Sequence, residues 1–309
     1  MPVEQELARI APDRDMLLSI GVFDGVHLGH KKLLAELTRC AREQELQSGV
    51  ITFKEHPEKS FHPETRISYL TDLAERVSLL KSAGVDRVIV LSFTRELAGM
   101  SAERFVSLLT RYLKMRGLII GSDFALGRKR EGTAEVLKEL GEKMGFAVSV
   151  VPPAVISGEV VSSTAIRNAL LQGDVEKVTR FTGRPFSLKR RVQSGAGRGG
   201  KMGFPTANLE IDPEQALPKD GVYATLAETG GKSYRSLTYI GERPTFNGGS
   251  RSVEVYIIDY KGDLYGKELK VSFIQHLRDD KKFASAQELE MQIAEDIKKG
   301  KAVLSAGQK

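Results

Sequence analysis

At 309 residues and 41% hydrophobic content the chain is long enough for two domains of about 100–200 residues each, with a core for both, which excludes a disordered or fibrous protein. A net charge of +6, from 46 Lys and Arg against 40 Asp and Glu, favours anionic partners, either nucleotide phosphate or nucleic acid. No apolar stretch approaches the roughly 20 residues that span a bilayer, so no membrane partner is expected.

The N-terminal "MPVEQELARIAPDRD" mixes both charge signs where a secretory signal would carry a basic start and an apolar run. "MLLSIGVF" (16–23) predicts a buried strand, and 29–46 a helix with Leu33, Leu34 and Leu37 at helical spacing. Cys40 on that helix is the single cysteine, without a partner for an internal disulfide, which fits a reducing cytoplasm. Strands follow at 49–53, 87–93, 117–121 and 147–153, separated by helices at 71–82, 101–113 and 133–144. That alternation implies a parallel, doubly wound sheet, with ligands outside the carboxyl ends of its strands. After "TGRPF" (182–186) short β-rich segments crowd together: "SLKRRVQ", "GVYATLAE", "SYRSLTYIG", "SVEVYIIDY" and "ELKVSFIQHL". They predict a small antiparallel barrel, closed by a helix over 285–299 and a polar tail that frays. The domains are expected at 1–182 and 183–309. Basic residues gather in "GRKRE" (127–131) and "SLKRRVQSGAGRGGK" (187–201), but the second stretch is poor in aromatics that would stack on bases.

Three stretches carry the chemistry. In "SIGVFDGVHLGH" (19–30), Gly21 and Gly25 permit a tight turn and Gly29 lets the backbone approach a ligand closely. A helix starting near Leu28 would aim free N–H groups at the same spot, with His27 and His30 on one side of the turn. By itself the stretch admits a structural turn with surface imidazoles, a metal pair lacking a nearby third ligand, or a phosphate cradle. "VSSTAIRNALLQGD" (161–174) opens a helix with Ser162, Ser163 and Thr164, places Arg167 on its first turns and stops it at Gly173, which alone is good capping chemistry. In "GRGGKMGFPTANLEI" (197–211) a glycine loop carries Arg198 and Lys201, and Thr206 and Asn208 place two oxygens that suit Mg²⁺, or that simply hydrogen-bond in a turn. Glu254, alternating with Val253 and Val255, reads by itself as an outward strand residue.

The first string resembles the GxFDGxHxGH signature of the nucleotidylyltransferase superfamily, in which the histidines stabilise charge on the α- and β-phosphates during adenylyl transfer without a covalent intermediate. The resemblance implies catalytic roles for His27 and His30 and nucleotide contacts for Gly21, Phe23, Asp24, Gly25 and Gly29. "SSTAIR" (162–167) resembles the ISSTxIR element that closes the pocket in that superfamily, which adds Ser162, Ser163 and Thr164 to the nucleotide site and Arg167 to the catalytic set. "TFKEHPEKSF" (52–61) and "GSDFALGRKREG" (121–132) resemble the FAD synthetase module of bacterial bifunctional riboflavin kinase/FAD synthetases, which implies His56, Asp123, Phe124, Gly127 and Arg130 on the flavin side.

"GFPTAN" resembles the metal and nucleotide signature of riboflavin kinases, implying Mg²⁺ at Thr206 and Asn208 and nucleotide contacts from Gly197, Arg198, Gly199 and Lys201. In the same resemblance "SVEVYIIDYKGDLYGKEL" (252–269) carries the catalytic glutamate as Glu254, and "HLRDDKKF" (276–283) brings Arg278 to the flavin. The chain departs from the family at Val22, at Lys54 and Glu55, and at Ala196, Gly200 and Tyr256. What the resemblance implies is a Rossmann-like adenylyltransferase joined to a riboflavin kinase barrel in a cytoplasmic protein. One half would turn riboflavin and ATP into FMN and ADP, and the other FMN and ATP into FAD and pyrophosphate, both with Mg²⁺. The alternatives are a chain with one working half, or a flavin-responsive RNA-binding regulator suggested by the basic charge and the "RGG" at 198–200. One RGG is far from an array and no aromatic-rich RNA-binding string accompanies it, so nucleic acid is not the expected partner.

Overall fold

The computed structural model describes residues 2–61, 64, 67–194, 203–242 and 251–306. Contacts divide the chain into two compact units, Met1–Ser163 and Thr164–Lys309.

In the first unit, β1 (Met16–Ile20), β2 (Gln47–Phe53), β3 (Arg87–Leu91), β4 (Met115–Gly121) and β5 (Ala147–Val151) form one parallel sheet in the order β3-β2-β1-β4-β5. The doubly wound reading therefore holds. Met16, Leu18 and Ile20 enter one core with Leu109 and Leu137, whereas Leu17 enters the other with Leu34, Leu37 and Leu80. A strand apolar on both faces is what a sheet covered on both sides requires. The covering helices are α1 (Val3–Ala8), α2 (Leu28–Glu43), α3 (Pro57–Phe61), α4 (Leu73–Ser82), α5 (Arg95–Ala98), α6 (Ala102–Leu113) and α7 (Ala134–Met144). Strand order reverses about β1, so the crevice lies where the chain leaves β1 and β4. A hairpin of β6 (Val155–Ile156) and β7 (Glu159–Val160) follows β5.

The second unit opens with α8, which runs Ser163–Leu171 from the end of the first unit, and α9 (Val175–Thr182). Then β8 (Ser187–Gln193), β9 (Ala207–Leu209), β10 (Gly221–Thr229), β11 (Lys232–Glu242), β12 (Arg251–Ile257) and β13 (Glu268–Asp279) close a barrel in the order β10-β11-β12-β9-β8-β13. Tyr223, Phe273 and Phe186 fill it with ring centroids 5.4 and 5.7 Å apart. Beside them the buried hydroxyls of Thr225, Ser236 and Thr238 satisfy one another at 2.7 and 2.9 Å.

The last helix, α10 (Ala286–Ala306), outruns the 285–299 expected of it, and residues 300–306, expected in the polar tail, are helical. Gly300 brings the helix against Leu237, where any Cβ would overlap that side chain, and Leu304 is buried one turn on.

Candidate active sites

The loop leaving β1 is left-handed at Phe23 (φ +55°), Gly25 (φ +79°) and Val26 (φ +36°). Side chains rarely adopt such a backbone, and its persistence points to a surrounding structure that holds it. A Cβ on Gly25 would lie 2.8 Å from Leu70 Cδ1, and one on Gly29 3.0 Å from the His27 ring. Gly21 donates its N–H to Ile51 O at 3.0 Å, which ends β1 against β2.

Asp24, 2% exposed, turns its carboxylate inward. It accepts the N–H groups of Leu70 (3.0 Å) and Thr71 (3.1 Å) and the Thr71 hydroxyl (3.3 Å). Thr71 Oγ1 in turn accepts the Gly25 N–H at 3.1 Å, and Ser163 Oγ donates to Asp24 O at 2.9 Å. The Asp24 side chain thus shapes the loop that would meet a nucleotide.

His27 caps α2: its Nδ1 accepts the His30 N–H at 3.3 Å. An accepting Nδ1 leaves the proton of the neutral ring on Nε2, as a donor. The two imidazoles stack with centroids 3.6 Å apart and planes 18° apart, and Phe23 closes on His30 edge-on at 5.1 Å. Burial of the ring, then the neighbouring His27, hold the His30 pKa well below the usual 6.5, and among the described residues its buried Nδ1 has no hydrogen-bond partner. The first turn of α2 directs its N–H groups to the same place.

Around this centre the other expected residues fall on two further strand ends. His56 follows β2, its N–H donating to Tyr69 Oη at 2.9 Å and its Nδ1 accepting the Glu58 N–H at 3.3 Å. After β4 comes the turn holding Asp123 and Phe124, and the Arg130 guanidinium donates to Asp123 O at 2.9 Å. Gly127 (φ +78°) lies against Ala102, where a Cβ would sit 2.7 Å from the backbone nitrogen. Ser162 precedes α8, and Thr164 and Arg167 ride on it.

On the barrel, strand register sets a row of side chains along the outer face: Asn208 opposite Glu254, Glu254 opposite Tyr239, Tyr239 opposite Val222 and Val222 opposite Arg278. Opposed residues on neighbouring antiparallel strands share a face. Thr206 Oγ1 donates to Glu254 Oε2 at 3.1 Å, so the structure brings together Thr206, Asn208 and Glu254. Tyr256, the departure from the family's histidine, packs edge-on against Phe204 at 5.8 Å.

Arg278, expected on the flavin side, is paired within its own unit. Its Nε donates to both oxygens of Asp296 on α10, at 3.1 and 2.9 Å, Nη2 lies 2.9 Å from the same carboxylate, and Asp296 is buried. Its guanidinium therefore docks the last helix. Gly197, Arg198, Gly199 and Lys201, with Ala196 and Gly200, lie outside the described residues.

Two residues that sequence reading passed over belong to these sites. Tyr239 lies over Gly241, whose Cβ would overlap the phenol, and burial together with the Asp280 carboxylate pushes that phenol up to about 12. Arg76 lies beneath the β1 loop. Among the described residues no cluster of three or more His, Cys, Asp or Glu side chains is arranged to hold a metal; Thr206 and Asn208 offer neutral oxygens, with the Glu254 carboxylate beside them.

Comparison with known proteins agrees with this division. A family model described as FAD synthetase matches residues 10–165, and one described as riboflavin kinase matches 182–304. The chain is 36% identical over 306 residues to the bifunctional riboflavin kinase/FMN adenylyltransferase of Pseudomonas fluorescens, covering 98% of both, and 36% identical over 288 residues to that of Escherichia coli K12, covering 93% and 92%. A crystal structure described as a macrolide-efflux protein from Streptococcus pneumoniae has a TM-score of 0.86 at 31% identity, covering 93% of this chain and 94% of the other. No described helix of the present chain is long and apolar enough to cross a membrane. On identity and coverage across nearly its whole length, the chain belongs to the bifunctional riboflavin kinase/FMN adenylyltransferase family.

Proposed function

We propose that the barrel phosphorylates riboflavin to FMN with ATP, releasing ADP, and that the Rossmann-like unit transfers the adenylyl group of ATP to FMN, giving FAD and pyrophosphate. The observation that carries this reading is that each unit holds its own constellation: His27 stacked on His30 at a helix N-terminus in one, and Glu254 hydrogen-bonded to Thr206 in the other. In function we assign residues 1–182 to adenylyl transfer and 183–309 to the kinase, while 164–182 pack with the second unit.

In the kinase, Glu254 takes the proton of the ribityl 5′-hydroxyl as that oxygen attacks the γ-phosphorus of ATP and ADP departs. The Thr206 hydroxyl, bonded to Oε2, orients the carboxylate. Thr206 and Asn208 would hold Mg²⁺, which neutralises phosphate charge when bound; paired neutral oxygens beside a carboxylate fit a hard cation. Gly197, Arg198, Gly199 and Lys201 are assigned to the nucleotide on the motif alone.

In the adenylyltransferase, the FMN phosphate attacks the α-phosphorus of ATP and pyrophosphate leaves. His27 Nε2–H, His30 and the N–H groups at the start of α2 meet the developing charge, which a preorganised set of donors stabilises without reorganising. Ser162, Ser163, Thr164 and Arg167 are assigned to the triphosphate, and His56, Asp123, Phe124, Gly127 and Arg130 to FMN, on the strength of their motifs. The lone cysteine and the bacterial relatives support a cytoplasmic enzyme.

Chromatography of products from the full chain with Mg²⁺ and ATP tests the reading. FMN and FAD from riboflavin, and FAD from supplied FMN, are expected; absence of both products would overturn it.

A further inference from the structure

Arg76 on α4 is 1% exposed, and none of the motifs explains it. Its Nη1 donates to Val22 O at 2.9 Å and its Nη2 to Phe53 O at 3.1 Å, while Nε has no hydrogen-bond partner among the described residues. Those carbonyls stand where two neighbouring strands end. Val22 precedes the left-handed run at Phe23, Gly25 and Val26, and Phe53 is the last residue of β2, three before His56. Val22 O also accepts the hydroxyl of the fully buried Thr52 at 2.9 Å.

The segment leading into α4 grips the same loop from its other side, through the bonds of Leu70 and Thr71 to Asp24 and of Gly25 to Thr71. Asp72 then caps α4 by accepting the Glu75 N–H at 2.8 Å, so helix and loop are fixed to each other. A charge this buried needs compensation, which Asp24 supplies first, and an apolar residue of like volume would fill the space; the guanidinium adds two forked donors.

We propose that Arg76 is a positioning residue for adenylyl transfer: by holding the Val22 and Phe53 carbonyls it sets the spacing between the His27/His30 loop and the His56 segment. This rests on the adenylyltransferase reading of the first unit. Neither a lysine nor a methionine reproduces the fork, although a lysine keeps the charge. The backbone shift that follows acts both on groups that meet the transition state and on the His56 segment assigned to FMN, so kcat falls and KM for FMN rises.

The test uses the full chain and measures FAD formation from FMN together with FMN formation from riboflavin, each per folded molecule as judged by circular dichroism. Arg76→Met is expected to lower kcat for FAD formation about 100-fold and to raise KM for FMN, Arg76→Lys to do both less, and Thr52→Val to lower kcat about three- to tenfold, with the kinase rate within about twofold in every variant. Thr52→Val is nearly isosteric and decides the matter should the Arg76 variants fail to fold. FAD formation within about twofold of the parent in the folded variants, or a loss that tracks only the folded fraction, overturns the proposal. A parent chain that makes no FAD from FMN overturns the adenylyltransferase reading instead.

Discussion

Thr206 donates its hydroxyl to Glu254 Oε2 at 3.1 Å, and on that carboxylate's other flank the strand register sets Tyr239. A base bonded at one oxygen presents the other to an incoming hydroxyl. Glu254→Gln, which keeps the shape and loses the basicity, should lower FMN formation by about 10²–10⁴-fold. FAD formation from supplied FMN, measured on the same sample, should be unchanged.

Gly241 leaves the space that the Tyr239 phenol occupies. Gly241→Ala should lift the ring from the barrel and disturb the row that includes Glu254, lowering the kinase rate about tenfold or more with the adenylyltransferase intact. Burial and Asp280 push Tyr239 up to about 12, and Tyr112 and Tyr223 are raised as well, so an ultraviolet phenol titration should show several tyrosines ionising above the ordinary value near 10, and Tyr239→Phe should remove one of them.

The stacked histidines make stability depend on pH. Burial lowers the His30 pKa in the folded protein, whereas the unfolded chain takes up its proton near 6.5. Below that value the unfolded state binds more protons, so this contribution is fully favourable above 6.5 and is lost as pH falls through the window beneath it. Burial lowers His276 as well, which adds in the same direction. Denaturant melts of the parent should show stability falling over that window, and His30→Asn should flatten the slope.

Arg278, half-buried, and the buried Asp296 form the ion pair that docks α10. Removing one partner strands the other charge, so Asp296→Ala should destabilise the protein by about 3–5 kcal/mol, read as a lower denaturation midpoint. Replacing both with apolar residues of similar volume should cost much less.

Much of this was legible in advance because the signals were local. Alternation of apolar runs with amphipathic helices foretold the parallel sheet, and the crowding of short strands after residue 186 foretold the barrel. Gly25, Gly29, His27 and His30 lie within five residues, and Thr206 and Asn208 within two, so their convergence needed little tertiary knowledge. What stayed hidden depended on partners distant in sequence. Arg76 reads as one more charge on a helix, because its carbonyl acceptors are 54 and 23 residues away. Arg278 sits in a motif, but its partner Asp296 lies 18 residues on. α9 is not legible because Asp174, following Gly173, caps a new helix through the Lys177 N–H where the sequence shows only the end of the previous one.

The central claim is a division of labour between two constellations, and reciprocal loss tests it most directly. Product chromatography of Glu254→Gln and of a His27→Asn/His30→Asn double variant, each given riboflavin in one reaction and FMN in another, should show the first making FAD only from FMN. The second should make FMN from riboflavin and no FAD. Loss of both activities in either folded variant, or retention of the activity assigned to the altered constellation, would contradict the account.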